Sequence, residues 1–142
     1  MLNEPIHTIM TRDLHTLSPQ DSLGQVRDLM LKHHIHHVPI VEGRSLVGII
    51  SSWDLFKMGK SAEEYSQIKA AELMTRRVAT LSPDDHLGAA AEVLREHLFH
   101  AIPIVGEENK ELLGIITSTD LIRLEFTREY PDDLSPFVKD NM

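Results

Sequence analysis

Two places in this sequence set a hydroxyl side chain three residues before a carboxylate, directly after an apolar run. They are Ser51-x-x-Asp54 and Thr117-x-x-Asp120. A carboxylate where a strand meets a helix can accept hydrogen bonds from both hydroxyls of a ribose. A hydroxyl beside the first N–H groups of the helix can hold a phosphate. The two pairs are therefore candidate nucleotide-binding residues.

Helix capping is the alternative explanation for this pattern. Under it, Ser52 and Ser118 cap the two helices, while Asp54 and Asp120 interact with the positive ends of the helix dipoles. Taken without its surroundings, the pattern favours capping, because any helix start can carry these residue types. The elements around each pair decide how much more can be inferred.

Each pair belongs to a segment that the chain contains twice. A copy consists of a short extended run, an amphipathic helix, two apolar strands joined by a polar turn, and a helix that begins at the hydroxyl–carboxylate pair. The amphipathic helices are predicted at about 22–34 and 85–98. The order strand–helix–strand–strand–helix mixes parallel and antiparallel pairing, and it predicts an α/β (α+β mixed sheet) fold.

The repeat also predicts the domain organisation. The first repeat spans 6–58, a polar linker spans 59–68, the second repeat spans 69–127, and an acidic tail spans 128–142. A unit of about sixty residues buries only a marginal core. We therefore expect the two copies to pack sheet to sheet around a pseudo-twofold axis as one module.

Composition argues against several classes of function. The formal net charge is −8, whereas non-specific binding to nucleic acid or to an anionic membrane needs clustered cations. Cysteine is absent, which excludes disulfides and thiolate metal sites and fits the reducing cytoplasm. No apolar run approaches the ~18 residues of a membrane span, and we expect no secretory signal. A P-loop, G-x-S-x-G and H-E-x-x-H are absent, so we predict no enzyme.

In the order of its motifs, each copy resembles a CBS (cystathionine β-synthase) domain, and the tandem resembles a CBS pair, or Bateman module. The likeness covers roughly 6–126. It is carried in the first copy by Met10-Thr11, Thr16-Leu17-Ser18-Pro19, the segment 36–41 and the segment 48–55, each with a counterpart in the second copy. The resemblance implies two clefts that often bind adenosyl ligands: AMP, ADP, ATP, S-adenosylmethionine or sometimes NAD. It also implies a disk-like homodimer and a regulatory rather than catalytic role.

The resemblance further implies that each cleft takes residues from both repeats. One cleft combines Ser51, Asp54, Thr80, His100, Ala101 and Ile102. The other combines Thr117, Asp120, Thr16, His36, His37 and Val38. Ala101 leaves room for a flat base where His37 places a ring, so we expect the cleft with Asp54 to bind nucleotide more tightly.

Nine histidines raise the alternative of a metal site, because four of them cluster at 33–37. Neighbouring imidazoles can bind zinc or nickel. The helix gives way to a strand within this cluster, so the rings should diverge, and we predict no metal site. His36 and His100 are better candidates for contacts with a phosphate or a base, because imidazoles are partly charged below pH ~6.5.

These observations predict a stand-alone CBS pair that senses an adenosyl ligand and requires no cofactor. The ligand would shift how the repeats sit against each other, and the output would pass to an unidentified effector protein. A scaffold or dimerisation protein with empty clefts is the alternative, and a histidine-mediated metal binder is the third hypothesis.

Overall fold

The structure is a computed structural model that describes residues 2–97 and 99–129. The predicted acidic tail lies outside the described residues from position 130 onward. Within the described part of the chain, no helix is long and apolar enough to cross a membrane.

The first repeat contains two helices and a hairpin. Helix α1 spans Leu23–His33, strand β1 spans His37–Glu42, strand β2 spans Ser45–Ser51, and helix α2 spans Ser52–Met58. Ser22 begins α1 with a capping box, in which its hydroxyl and the side chain of Gln25 each accept the other residue's backbone N–H. The prediction of an amphipathic helix over 22–34 is therefore close to the observed bounds.

A short helix lies inside the predicted linker. Helix α3 spans Ala62–Ser66, and its Tyr65 is buried in the core of the first repeat. The Tyr65 hydroxyl donates to the Leu55 carbonyl at 2.5 Å and accepts the Lys60 N–H at 3.1 Å. Because this segment is mostly polar, its composition did not indicate that Tyr65 is buried. The hydrogen bonds of Tyr65 fix α3 against α2.

The second repeat has the same order. Helix α4 spans Leu87–His97, strand β3 spans Ala101–Val105, strand β4 spans Leu112–Thr117, and helix α5 spans Ser118–Glu129. Both hairpins are antiparallel and carry an irregularity in register at the same place. The predicted first strand of each repeat is reduced to one parallel bridge, Leu17 to Ile40 and Leu81 to Ile104. The mixed α/β class is thus confirmed, with both pairing directions present.

The repeats exchange the segments that precede them. Ile6 and Met10 are buried in the core of the second repeat, whereas Ala70 and Met74 are buried in the core of the first. Backbone hydrogen bonds fix both exchanges: Thr11 pairs with Ile115, and Thr75 pairs with Ile49. The Met-Thr motif of each repeat therefore completes the fold of the other repeat.

Glycine makes this exchange possible. A Cβ atom at Gly48 would lie 2.7 Å from the Met74 sulfur, and one at Gly114 would lie 2.7 Å from the Met10 sulfur. Real Cβ atoms do not approach other atoms this closely, so only glycine lets each methionine pack on its strand.

A second tie joins the turns of the two hairpins. The Leu46 N–H donates to the Lys110 carbonyl at 3.0 Å, and the Leu112 N–H donates to the Arg44 carbonyl at 2.9 Å. The exposed Arg44–Glu111 ion pair at 3.6 Å lies beside them and adds little, because water screens it. Exchanged segments and joined turns together make the two repeats one unit.

Candidate functional site

The start of α2 holds Asp54 in a fixed orientation. The Ser51 N–H donates to Asp54 Oδ2 at 2.8 Å, and the Asp54 N–H donates to Ser51 Oγ at 3.2 Å. The capping residue is therefore Ser51, and the prediction that Ser52 caps this helix is wrong. The other carboxylate oxygen, Oδ1, lies 4.0 Å from Lys57 Nζ, at the limit of an ion pair.

The start of α5 repeats this geometry with one difference. The Thr117 N–H donates to Asp120 Oδ2 at 2.9 Å, and the Asp120 N–H donates to Thr117 Oγ1 at 3.1 Å. Thr117 takes the capping role that the sequence assigned to Ser118, so that prediction is also wrong. In addition, the Thr11 hydroxyl donates to Asp120 Oδ1 at 3.4 Å. The described hydrogen bonds give Asp54 no equivalent threonine partner.

The histidines of the first repeat lie beside the first helix start. His37 is opposite Ser51 in the hairpin register. The Ser52 N–H donates to the His36 carbonyl at 2.8 Å, and Ser52 Oγ lies 3.4 Å from His36 Nδ1. These contacts place His36 against the α2 start of its own repeat, and the assignment of both histidines to the cleft with Asp120 stays a prediction.

One electrostatic neighbourhood includes residues of both repeats. Burial lowers the pKa of His37, the charges of His100 and then His36 lower it further, and the carboxylate of Asp54 opposes them. The charges of His37 and His100 therefore interact across the boundary between repeats. We call His36, His37, His100 and Asp54, which act together on this pKa, the His37 cluster.

In the second repeat, residues of the predicted cleft occupy equivalent positions. Ala101 is opposite Thr117 in its hairpin, and the Ser118 N–H donates to the His100 carbonyl at 3.1 Å. The side chains of Val38 and Ile102 are fully buried in the two cores. These two residues can therefore offer a ligand only their backbone groups.

Thr16 and Thr80 lie next to the single parallel bridges at Leu17 and Leu81, and both are half-buried. Among the described contacts, none joins Thr80 to Asp54 or Thr16 to Asp120. Their assignment to the clefts stays a prediction.

Two further residues at these helix starts escaped the sequence analysis, namely Thr11 and Lys57. The recurrence of Met10-Thr11 as Met74-Thr75 was a usable signal for Thr11, because a residue repeated outside the core needs a structural reason. Lys57 carried no such signal, since a lysine three residues after an aspartate is common on helices.

The histidine cluster near the end of α1 shows no metal-binding geometry. The ring of His33 stacks on the ring of His15 with centroids 3.6 Å apart, an arrangement in which the ring faces meet. Over residues 2–97 and 99–129, no three histidine, aspartate or glutamate side chains form a group that could hold a metal ion.

The two hairpins, each followed by a capped helix and completed by an exchanged Met-Thr segment, are matched by a known domain family. The CBS domain model matches residues 6–60 and 70–126. This chain therefore belongs to the CBS domain family, and it contains a tandem pair.

Solved structures with this fold include the CBS domain pair of protein MJ0100 in complex with 5'-methylthioadenosine and S-adenosylmethionine. It is 29% identical, with a TM-score of 0.76 over 88% of this chain and 98% of that one. Protein MJ1225 from Methanocaldococcus jannaschii is 30% identical, with a TM-score of 0.79 over 87% of this chain and 48% of that one.

Curated relatives include homoserine O-acetyltransferase from Methanocorpusculum labreanum, which is 33% identical over 117 residues. The match covers 82% of this chain and 23% of that enzyme. The chain thus spans about a quarter of the length of the first curated relatives that it matches.

Proposed function

We propose that this chain binds an adenosyl ligand at the start of α2 and acts as a regulatory module. The observation that carries the proposal is the orientation of Asp54. Its capping box uses Oδ2 and leaves Oδ1 to accept hydrogen bonds from a ribose. The CBS pair of MJ0100, which binds two adenosyl compounds, supports the ligand class.

The His37 cluster supports a ligand that also carries a phosphate. His36 lies against the α2 start, and the charges of His100 and His37 interact across the repeats. A phosphate bound near these rings would favour protonated imidazoles and would also offset the effect of burial on His37. The proposal therefore names AMP, ADP or ATP first. S-adenosylmethionine, an adenosyl compound without a phosphate, comes second.

The difference between the two aspartates favours the first cleft. Thr11 already donates to Asp120 Oδ1, so a ribose at α5 would have to displace that hydroxyl. No such displacement is needed at Asp54. Because a net hydrogen bond contributes about 0.5–1.5 kcal/mol, this difference alone corresponds to roughly twofold to tenfold in affinity.

A thermal-shift panel with AMP, ADP, ATP, S-adenosylmethionine, NAD and divalent metals tests the proposal. A ligand at ~100 times its Kd stabilises the folded state by about 2.7 kcal/mol, which is several degrees for a chain of this size. We expect one or more adenosyl compounds to raise the melting temperature. No shift from protein shown to be free of bound nucleotide would favour a scaffold function, and a shift with metals alone would favour metal binding.

Matched variants locate the site. Asp54→Asn keeps an oxygen that can accept the Ser51 N–H but removes the charge that favours a ribose, and Asp120→Asn makes the same change in the second repeat. We expect calorimetric titration to show a larger loss of affinity for Asp54→Asn. A larger loss for Asp120→Asn would contradict the assignment of the stronger cleft.

Regulation would arise if the ligand prefers one of two arrangements of the repeats or of two paired modules. We propose a cytoplasmic homodimer that passes this change to an effector protein. Light scattering with and without the ligand tests the dimer. A monomer under both conditions would contradict it, and the effector would then have to contact a single module.

A further inference from the structure

The joined hairpin turns lie between two units that each have a core of their own. A unit is one repeat together with the exchanged segment buried in it, which brings Met74 to the first unit and Met10 to the second. Every other backbone hydrogen bond that the structure describes stays within one unit. The two bonds between the turns are therefore the direct backbone contact between the units, and we call this contact the turn junction.

The turn junction has little protection from water. Arg44, Asn109 and Lys110 are exposed, and the buried side chain of Leu46 belongs to neither core. Exposed backbone hydrogen bonds with few apolar contacts around them open more readily than those inside a core. The turn junction can therefore separate while both cores stay folded.

The turn of the second hairpin holds one residue in an unfavourable conformation. The Glu111 N–H donates to the Glu108 carbonyl at 3.2 Å, and the two residues between them, Asn109 and Lys110, have φ angles of +55° and +51°. Positive φ at both central positions is the pattern of a type I′ turn, in which Asn-Gly is favoured. Asparagine tolerates this conformation, whereas the Cβ of lysine crowds its own carbonyl.

This strained residue supplies one of the two bonds of the turn junction. The Lys110 carbonyl accepts the Leu46 N–H at 3.0 Å. While that bond is made, Lys110 is held in the left-handed region, and when it breaks the residue can return to an ordinary conformation. The strain favours separation and the hydrogen bonds favour contact. Because the two effects are of similar size, neither state is strongly excluded.

The hairpin strands connect the turn junction to the candidate ligand site. Ser45 begins β2 and Ser51 ends it, so the junction lies about 20 Å along the strand from the α2 start. Glu111 and Thr117 are related in the same way along the second hairpin. A strand is a stiff element, so a change in how the two helix starts face each other also moves the turns.

We propose that the turn junction is a strained latch whose opening is coupled to ligand binding at the α2 start. The coupling rests on the proposed function, whereas the latch itself does not. A ligand held by residues of both repeats restrains their relative motion, so it binds the latched form more tightly. The state of the latch then depends on whether the cleft is occupied.

Amide hydrogen exchange in the full chain tests the latch without a ligand. The Leu46 amide reports the turn junction, while the Ile49 amide on the same strand donates to the Thr75 carbonyl at 3.1 Å inside the first unit. We expect the protection factor of Leu46 to be at least about tenfold lower. Equal protection would overturn the proposal, because the junction would then open only together with the unit.

Two substitutions of Lys110 separate backbone strain from the lysine side chain. Lys110→Gly removes the strain and should raise the protection of Leu46 by about threefold or more. Lys110→Ala keeps a Cβ and therefore the strain, so protection should stay within about twofold. Leu46 lies in the other unit, so neither change alters the intrinsic exchange rate of its amide. Equal effects of the two substitutions would contradict a strained latch.

A disulfide across the turn junction gives the closed reference. Ser45 and Glu111 lie directly opposite each other between the two hydrogen bonds, and such pairs have Cα atoms about 4.5 Å apart, within disulfide range. The chain has no native cysteine. In oxidised Ser45→Cys/Glu111→Cys the protection of Leu46 should rise toward that of Ile49. Unchanged exchange after oxidation would show that the Leu46 amide opens without separation of the turns, against the proposal.

AMP, ADP and ATP test the coupling. A ligand at ~100 times its Kd that binds only the latched form slows exchange through the open form by about 100-fold. We expect at least one of the three to raise the protection of Leu46 by about tenfold or more. A raised melting temperature with unchanged exchange at Leu46 would overturn the coupling and leave the proposed function standing. No rise in melting temperature with any adenosyl compound would contradict the proposed function and with it the coupling, while low protection of Leu46 in the free chain would still support the latch.

Discussion

Replacing Gly48 with alanine tests the exchanged packing directly. The new Cβ would lie 2.7 Å from Met74 Sδ, 2.8 Å from its Cγ and 3.0 Å from its Cβ. Favourable carbon contacts lie at about 3.5–4.0 Å, so the methyl group overlaps the methionine by about 1 Å. Because Met74 is buried, it cannot move away without disturbing the core. We expect Gly48→Ala to destabilise the fold by about 1–3 kcal/mol.

A double-mutant cycle measured by urea unfolding shows how much of the stability lost in Gly48→Ala comes from the contact with Met74. Met74→Ala should cost about 2–5 kcal/mol, because it leaves a cavity over the strand. In that background Sδ and Cγ are gone and only the contact with the Cβ of residue 74, at 3.0 Å, remains, so the cost of Gly48→Ala should fall to a small part of its value in the unaltered chain. A coupling energy of about 1–3 kcal/mol is therefore expected. The same cost for Gly48→Ala in both backgrounds would refute the packing argument.

Gly24→Ala is the matched control for this cycle. Its Cβ would meet no atom closer than 3.4 Å, and Gly24 lies in α1. Alanine in a helix is favoured over glycine by about 0.5–1 kcal/mol, so this change should leave stability equal or higher. A loss as large as that of Gly48→Ala would mean that any added methyl group destabilises the chain.

Two further predictions concern single hydrogen bonds, and a third concerns the titration of His37. Tyr65→Phe should cost about 0.5–1.5 kcal/mol in a urea titration, because it removes the hydrogen bonds to the Leu55 carbonyl and from the part-buried Lys60 N–H; an unchanged midpoint would contradict the anchoring of α3. Thr11→Val should raise affinity at the second cleft by less than about tenfold in calorimetry, because Asp120 Oδ1 loses its donor, and a loss of affinity would contradict this reasoning. The pKa of His37 is lowered on folding, mainly by burial, so the unfolded chain binds the proton more readily. The contribution to stability is complete above pH 6.5 and is lost as pH falls from there through the lowered pKa. Melting temperatures between about pH 5 and 8 should show a slope that His37→Asn reduces, whereas a phosphorylated ligand should bind more tightly on acidification.

Local patterns in the sequence predicted most of the helices and strands. The helical spacing of Leu23 and Val26 and the repeated apolar strands are both short-range signals. The family followed from their order, and it is confirmed by the match over both repeats. Helix α3 was missed because it has a polar composition and only one buried side chain, that of Tyr65.

Long-range placement was harder to predict. The sequence identified Met10-Thr11 as a repeated motif, but nothing local indicates that Met10 packs on Gly114. The hydroxyl–carboxylate pairs were found, while the capping role was assigned one residue too late. The residues alone also do not show that His36 contacts Ser52 of its own repeat, and its assignment to the cleft with Asp120 stays a prediction.

The exchanged segments also set an order for folding. The core of the first repeat needs nothing beyond Met74, so it can form while the second repeat is still being synthesised. The second repeat needs the first residues of the chain, and its contact between Thr11 and Asp120 joins positions 109 residues apart. Contacts of such separation form slowly, because a long loop must close first. The last step of folding should therefore be the return of the N-terminal segment, and until it arrives Gly114 and its neighbours offer an open edge to another molecule.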